Sequence, residues 1–191
     1  VVFDGGLGEN PVPLPTFMLH MVQGQLFRAK YTTAEGCLNL KDVLGCPRVL
    51  VGNGLKPLLF TVLRAFLQVY PNLQVVHILP AWLTYREQTR LLGVRALDVM
   101  AEGCARAGGS WKVSAKALDD ALATLPLSTP ILIFFNNPNN PSGIVYDDTD
   151  IRALAGVCRK YKAMVFSDCI YKDLSHTKTR VAQIQDYYPA R

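Results

Sequence analysis

The sequence predicts an α/β domain with a mostly parallel β-sheet flanked by helices. Short apolar runs rich in β-branched residues alternate along the chain with longer segments of helical periodicity. Within the runs, apolar and polar residues do not alternate strictly, as is typical of strands buried on both faces. Repeated alternation of strand, helix and strand favours parallel strands connected by helices.

The apolar runs and the periodic segments define the predicted elements. The predicted strands cover residues 48–52, 74–79, 94–99, 130–135 and 163–167. The predicted helices cover residues 56–70, 84–92, 114–125 and 147–161. In the last helix Ile151, Leu154 and Cys158 fall on one face, and Asp147 suits the positive N-terminal end of the helix dipole.

Composition narrows the class of protein. Half of the 191 residues are hydrophobic and 18% are charged, which indicates a globular domain. The net charge of +5 comes from scattered lysines and arginines without a basic stripe, which favours anionic small molecules over nucleic acid. No apolar run reaches the roughly 20 residues of a membrane span. Residues 1–6 lack the features of a signal peptide, so we expect a cytoplasmic protein.

Cysteine and histidine spacing gives no sign of a metal site or a disulfide framework. The five cysteines form no C-x-x-C pair, and they are expected to be free thiols in a reducing compartment. The three histidines lie far apart in the sequence. We therefore predict no metal.

Four loops follow the carboxyl ends of predicted strands, where ligands of parallel sheets bind. They begin after Gly52, Leu79, Phe135 and Ser167. The first reads GNGLKP over residues 52–57 and leads into a helix whose free N–H groups suit an anion. An ordinary strand-to-helix turn has the same composition, whereas a dinucleotide fingerprint is weak because Pro57 occupies its third glycine position.

The other three loops each carry a candidate ligand-binding side chain. Trp82 offers a flat face to a ligand ring, or packs at the rim of the core. Residues 136–143 read NNPNNPSG, and their two prolines predict a rigid loop that directs asparagine side chains. Asp168 ends a buried strand, where a carboxylate needs a cation, such as a protonated pyridine, or hydrogen bonds; capping a nearby turn is the alternative.

The order of these loops resembles the class I/II aminotransferases of pyridoxal-phosphate fold type I. The family pattern N-P-x-N-P-[TS]-G, followed by a helix and a strand ending S-D-E-x-Y, is similar to NPNNPSG at residues 137–143 and SDCIY at 167–171. Further similarities lie upstream, in PAWLTY at 80–85, GNGLK at 52–56, YTTAEG at 31–36 and GENP at 8–11. The resemblance covers nearly the whole chain and implies the three-layer αβα large domain of that family.

The resemblance also implies roles for individual residues. Asp168 is similar to the acid that pairs with the pyridine nitrogen of the cofactor, and we take Asp168 and Tyr171 as the catalytic candidates. Tyr171 and Asn140 are implied to hydrogen-bond the phenolic oxygen of the cofactor, and Trp82 to stack on its ring.

The phosphate of the cofactor has its own implied contacts. Gly54, Leu55 and Lys56 are expected to hold it, mainly through backbone N–H groups. Tyr31 resembles a tyrosine that reaches the phosphate of the neighbouring subunit, which implies a homodimer with shared sites.

Three departures from the family pattern qualify the resemblance. Cys169 replaces the usual Glu, and the stretch from Leu40 to Val49 is short. In the family the S-x-x-K lysine that holds the cofactor covalently lies further along the chain, and we expect it beyond Arg191. Lys172 and Lys178 lie too close to Asp168 and are interpreted as surface residues. We therefore interpret residues 1–47 as an N-terminal segment that lines the substrate side and the dimer interface. Residues 48–191 are interpreted as a pyridoxal-phosphate-binding large domain, truncated at its C-terminus.

The implied activity is that of a pyridoxal-phosphate-dependent aminotransferase, of which this chain is a fragment. It moves an amino group between an α-amino acid and a 2-oxo acid. The alternatives are a pyridoxal-phosphate lyase or synthase of the same fold, a non-catalytic aminotransferase-like domain, and a nucleotide-binding α/β domain. The expected partners are the two substrates and a second copy of the chain, with no nucleic acid and no membrane.

Overall fold

The computed structural model describes residues 13, 15–25, 49–101, 110–176 and 180–189. The chain divides into one unit of residues 1–52 and a second of residues 53–191. Helix α1 (Thr16–Gln25) belongs to the first unit. The second unit contains all the elements of the sheet.

The second unit alternates helices and parallel strands along the chain. Its strands are β1 (Gln74–Leu79), β2 (Arg95–Met100), β3 (Ile131–Asn136) and β4 (Met164–Asp168). Its helices are α2 (Leu55–Val69), α3 (Leu83–Leu91), α4 (Ala115–Leu122) and α5 (Asp148–Lys160), followed by a 3-10 turn at Ile184–Asp186.

The four strands form one sheet in the order β2-β1-β3-β4, with every neighbouring pair parallel. A helix lies in the sequence between each strand and the next. The predicted parallel α/β sheet is therefore confirmed.

The central strands β1 and β3 are buried on both faces, which explains why they lack alternation of polar and apolar residues. The expectation of burial on both faces is wrong for β2, which lies at the edge of the sheet and is mostly exposed. Ile131, Ile133 and Phe135 of β3 belong to one core cluster, with apolar residues of α4, α5 and the 3-10 turn. Leu132 and Phe134 belong to the other, with residues of α2 and α3. The result is three layers, helices, sheet and helices.

Two helix starts follow from local sequence. The Asp147 side chain accepts the Asp150 N–H, and the Asp150 side chain accepts the Asp147 N–H, which together form a capping box at α5. The Ser114 hydroxyl accepts the Ala117 N–H at the start of α4. Such caps satisfy N–H groups that have no partner within the helix.

The predicted strand at residues 48–52 is wrong for the residues the structure describes. Residues 49–52 form no strand. Leu50 is 63% exposed, so this run lacks the burial that makes a short apolar segment a central strand. Arg48 lies outside the described residues. Within the described ranges, no helix has the length and apolar character needed to cross a membrane.

Candidate functional site

The order of the strands determines where a ligand would bind. From β1 the chain crosses to β2 on one side and returns to β3 on the other, so the topology switches between β1 and β3. In open parallel sheets this switch point opens a crevice beyond the carboxyl ends of the strands. Leu79, Asn136 and Asp168, the last residues of β1, β3 and β4, lie at that edge.

Asp168 is a buried carboxylate at the end of β4, with 6% of the residue exposed. One of its oxygens, Oδ2, accepts a hydrogen bond from the Tyr85 hydroxyl. The other, Oδ1, accepts the Ile170 N–H at 3.1 Å. Since a carboxylate accepts about four hydrogen bonds, these two donors leave capacity for a further cationic donor.

Tyr85 is the donor because its own proton is firmly held. Burial and the adjacent Asp168 raise the pKa of the Tyr85 hydroxyl far above its usual value. The tyrosine is 2% exposed, and its ring stacks on Phe134 with 5.0 Å between ring centroids. The Asp168 carboxylate is therefore held in place by a hydrogen bond from the neutral phenol of Tyr85.

The asparagine loop after β3 is held mainly by its own side chains. Asn137 is fully buried and donates to the carbonyls of Tyr146 and Ala182 at 3.2 and 2.8 Å, while its Oδ1 accepts the Tyr146 N–H. Asn139 donates to the Pro80 carbonyl, at 3.2 Å, in the loop after β1. These asparagines therefore build the loop.

Asn136 and Asn140 connect the asparagine loop to the end of β4. Asn136 donates to the backbone carbonyl of Asp168 at 2.9 Å and accepts the Asn140 N–H at 2.7 Å. The Asn140 Nδ2 in turn lies 3.2 Å from the Tyr171 hydroxyl. An amide N–H and a phenol are thus placed side by side, and a ligand oxygen between them would receive two donors.

Gly54 begins α2 in a conformation that favours glycine. Its φ is +88° and its ψ is 169°, and no side chain caps the helix. The N–H groups of Leu55 and Lys56 occupy the first two helical positions, where an α-helix supplies no internal acceptor. Pro57 follows within the first turn, as predicted. This turn has the two properties of an anion site, unpaired donors and the positive end of a helix.

Trp82 contacts both Tyr85, which hydrogen-bonds the buried acid, and Lys56, which follows the turn at Gly54. Its ring packs edge-on against Tyr85, with 5.5 Å between centroids. The Lys56 Nζ lies 5.5 Å from the centre of the Trp82 ring. The loop after β1 and the start of α2 are therefore in contact through these two side chains.

The structure thus brings Lys56 to Trp82 and Asn140 to Tyr171, and it places Asp168 at the same edge of the sheet. Tyr31 lies outside the described residues. Lys172 is exposed, and Lys178 lies outside the described residues. The functional assignments of these residues remain predictions.

Sequence reasoning missed two polar side chains that support the site. Tyr85 was noted only as the last residue of the PAWLTY segment at 80–85, yet its hydroxyl donates a hydrogen bond to the buried Asp168. Gln88 donates to the Lys56 carbonyl at 2.9 Å. Since Tyr85 and Gln88 are three residues apart in a predicted helix, their shared face was the available signal.

The opposite end of the sheet has a different character. A cavity of about 480 Å³ lies beside Gln74, Arg95 and Pro130, at the amino ends of the strands. No cluster of three or more His, Cys, Asp or Glu side chains able to hold a metal is found in the described part of the chain.

Comparison with protein families finds one match to most of the chain. The profile described as aminotransferase class I and II matches residues 40–189. That span includes the turn at Gly54, the asparagine loop and Asp168.

Individual relatives are distant in sequence. An aspartate aminotransferase of Bacillus subtilis (strain 168) is 27% identical over 172 residues, which are 82% of this chain and 41% of that protein. A probable aspartate aminotransferase of Streptomyces griseus is 29% identical over 181 residues, covering 87% of this chain and 80% of that protein. The chain therefore spans less than half the length of the Bacillus relative.

Solved structures share the fold. The aspartate aminotransferase from Rhizobium meliloti superposes with a TM-score of 0.80 at 22% identity, over 96% of this chain and 47% of that one. Cystalysin from Treponema denticola, described as containing a pyridoxal 5'-phosphate cofactor, has a TM-score of 0.58 at 20% identity over 69% of this chain and 32% of that one. The predicted aminotransferase-like large domain is confirmed by the first of these.

Proposed function

The chain belongs to the class I and II aminotransferases, and from this we propose that it forms part of an enzyme that moves an amino group between an α-amino acid and a 2-oxo acid. Several relatives, including those of Bacillus subtilis and Streptomyces avermitilis, are named aspartate aminotransferase. Aspartate is accordingly the first amino acid to test as the donor.

Pyridoxal phosphate is the cofactor of this family, and the described residues fit it at three places. Asp168 is a buried carboxylate with capacity for one more donor, as a protonated pyridine nitrogen requires. Asn140 and Tyr171 form a donor pair for a phenolic oxygen. The turn at Gly54 suits a phosphate.

The buried Asp168 is the observation that carries the proposal. When bound, the cofactor supplies a protonated ring that accepts the electron pair released at the substrate Cα. In the proposed enzyme the Asp168 carboxylate holds the proton on the ring nitrogen. Asn140 and Tyr171 hold the phenolic oxygen, and Leu55 and Lys56 anchor the phosphate through their N–H groups. Trp82 covers one face of the ring and excludes water from it.

An amino-transfer assay on the full-length protein tests this function. Aspartate and 2-oxoglutarate are supplied with pyridoxal phosphate, and both products are quantified. We expect oxaloacetate and glutamate in equal amounts. Borohydride reduction of the loaded protein, followed by peptide mapping, is expected to label one lysine outside this chain. A label on Lys172 or Lys178 would contradict the assignment of those residues to the surface.

A lyase of the same fold is the second candidate. Cystalysin and a C-S lyase from Staphylococcus hominis share the fold, with TM-scores of 0.58 and 0.53. Adding a sulfur-containing amino acid to the same assay separates the two functions. A lyase acting on a sulfur-containing amino acid releases a 2-oxo acid with ammonia and a thiol, and transfers no amino group.

The proposed enzyme is a homodimer in which Tyr31 reaches the phosphate of the neighbouring subunit. A second apolar face on α2 supports a partner surface. This face lies beside the buried residues Leu59 and Leu63, which pack on the sheet. It consists of Leu58, Val62, Ala65 and Val69, of which Val69 is 67% exposed. We expect Ala65→Glu to weaken the dimer, as measured by sedimentation, whereas Gln68→Glu on the polar side of α2 should not. Equal dimer stability in both variants would remove α2 from the interface.

The proposal also includes a cytoplasmic location and no binding to nucleic acid or membranes. It is supported by the scattered positive charge and by the free cysteines Cys158 and Cys169. Fractionation of the native host, with the full-length protein detected by antibody, tests the location.

A further inference from the structure

Among the buried side chains of helix α3, Tyr85 and Gln88 lie one turn apart and contact opposite ends of the candidate site. Tyr85 and Gln88 are 2% and 9% exposed. The Tyr85 hydroxyl donates to the Asp168 carboxylate. The Gln88 Nε2 donates to the Lys56 carbonyl, at 2.9 Å, in the first turn of α2. A single short helix thus connects the acid with the turn proposed to hold the phosphate.

Tyr85 is held on two sides, so its hydroxyl has little freedom. Its ring stacks on Phe134, and Trp82 meets it edge-on at an interplanar angle of 89°. On the carboxylate, the Ile170 N–H binds the oxygen that Tyr85 does not. These two donors together fix the plane of the Asp168 carboxylate, and therefore the direction of its remaining lone pairs.

Gln88 lowers the stability of the folded domain at its position. Its Oε1 is buried and finds no hydrogen-bond partner among the described residues. An unpaired buried acceptor is unfavourable, and an apolar side chain of similar length would avoid that cost. The contact that Gln88 does make is with the backbone of Lys56, whose N–H is proposed to bind the phosphate.

We propose that α3 is a positioning helix for the cofactor, in which Tyr85 orients Asp168 toward the ring nitrogen and Gln88 fixes the first turn of α2 toward the phosphate. This inference rests on the proposed function. The distance between the ring nitrogen and the phosphate is fixed by the bonds of the cofactor. Two contacts from one rigid helix keep the two protein groups at the matching separation.

The Tyr85 half of the proposal is tested by nuclear magnetic resonance of the ring nitrogen. The full-length protein is loaded with ¹⁵N-labelled pyridoxal phosphate, and the nitrogen chemical shift is compared between variants. We expect Asp168→Asn to move the signal to the position of an unprotonated pyridine. Tyr85→Phe should move it part of the way, because the carboxylate loses its orientation. Tyr70→Phe, at a partly exposed position, is the matched control and should leave the wild-type signal.

The Gln88 half is tested by affinity for phosphate. Gln88→Met removes the contact with Lys56 and also the unpaired oxygen, so we expect thermal stability to be equal or higher. We expect the apoprotein to bind inorganic phosphate and pyridoxal phosphate roughly three- to tenfold more weakly, as for one lost hydrogen bond. Affinity for pyridoxal, which has no phosphate, should be unchanged. Gln68→Met on the exposed side of α2 is the matched control.

The outcomes separate this inference from the proposed function. If Asp168→Asn moves the nitrogen signal and Tyr85→Phe does not, Tyr85 has no positioning role and the function stands. If Asp168→Asn also leaves the signal unchanged, the placement of the cofactor itself is wrong. Wild-type affinity for phosphate in Gln88→Met overturns the second half.

A further substitution covers the case in which Tyr85→Phe does not fold. Replacing Tyr85 with 3-fluorotyrosine keeps the ring and acidifies the hydroxyl, so the ring-nitrogen signal should move. An unchanged signal in that protein overturns the role of Tyr85.

Discussion

His77 is expected to make this domain less stable in mild acid. The residue is fully buried in β1, and both ring nitrogens lack hydrogen-bond partners among the described residues. Its ring stacks on Phe134 at 5.6 Å. Burial lowers the pKa of His77 from 6.5 to about 4, while the nearby Asp98 raises it and Arg86 lowers it further. Asp98 and Arg86 pair with each other at 2.9 Å.

The sign and size of the effect follow from proton linkage. Between about pH 4 and 6.5 the unfolded chain protonates His77 and the folded chain does not, so the stability rises with pH. The contribution is complete above pH 6.5 and is lost as the pH falls toward 4. Each pKa unit corresponds to about 1.4 kcal/mol, so the whole loss is roughly 3 kcal/mol, with about 2 kcal/mol of it reached at pH 5.

Amide hydrogen exchange of the β1 and β3 peptides in the full-length protein measures this effect. Wild type is compared with His77→Phe at pH 7.5 and at pH 5.0, so that intrinsic exchange rates and other titrating groups cancel. His77→Phe retains a ring against Phe134 and removes the two unpaired nitrogens. We expect the variant to be equally or more protected at pH 7.5, and to gain about 2 kcal/mol over wild type on going to pH 5.0. A difference between the two proteins that does not change with pH would refute the reasoning.

Three further substitutions test the site and its supports. Asp168→Ala in the full-length enzyme should lower kcat roughly 10- to 100-fold, as for a lost charge-assisted hydrogen bond. Ser167→Ala is the control and should have little effect. Wild-type turnover in Asp168→Ala would mean that the cofactor ring is not placed against Asp168. Gly54→Ala should cost about 1–3 kcal/mol in thermal denaturation, because its conformation is almost restricted to glycine, and an unchanged Tm would show that the turn relaxes. Asn137→Ala should cost roughly 3 kcal/mol, because Tyr146 loses partners for both its N–H and its carbonyl; a loss under 1 kcal/mol in urea unfolding would count against this account.

The sheet was predictable because its strands are short, apolar and separated by periodic helices. The strand at residues 74–79 was predicted with its observed bounds, and the other described strands differ by about one residue. The prediction of a strand at residues 49–52 was wrong because an apolar run forms a strand only if another strand lies beside it. That neighbour is a property of the tertiary structure and not of the run.

The sequence predicted where the loops lie, but it did not predict which groups each side chain in them would contact. The asparagine loop was expected to direct its amides at a ligand. In the structure Asn137 and Asn139 bind protein backbone, and Asn140 lies beside Tyr171. The Asn137 amide donates to the carbonyl of Ala182, which is 45 residues away in the sequence. The sequence does not distinguish such an asparagine from one whose amide binds a ligand. Only the folded geometry separates the two roles.

At the amino end of the sheet, the described residues include none of those assigned to the candidate site. The described residues of the candidate site lie at the carboxyl ends of the strands, while the connection from α4 to β3 lies at the other end. Leu127 in that connection is fully exposed. A peptide tag or a reporter domain inserted beside Leu127 would sit a full strand length from the site, about 20 Å for six residues. This connection is therefore the natural place to attach a probe without disturbing the chemistry.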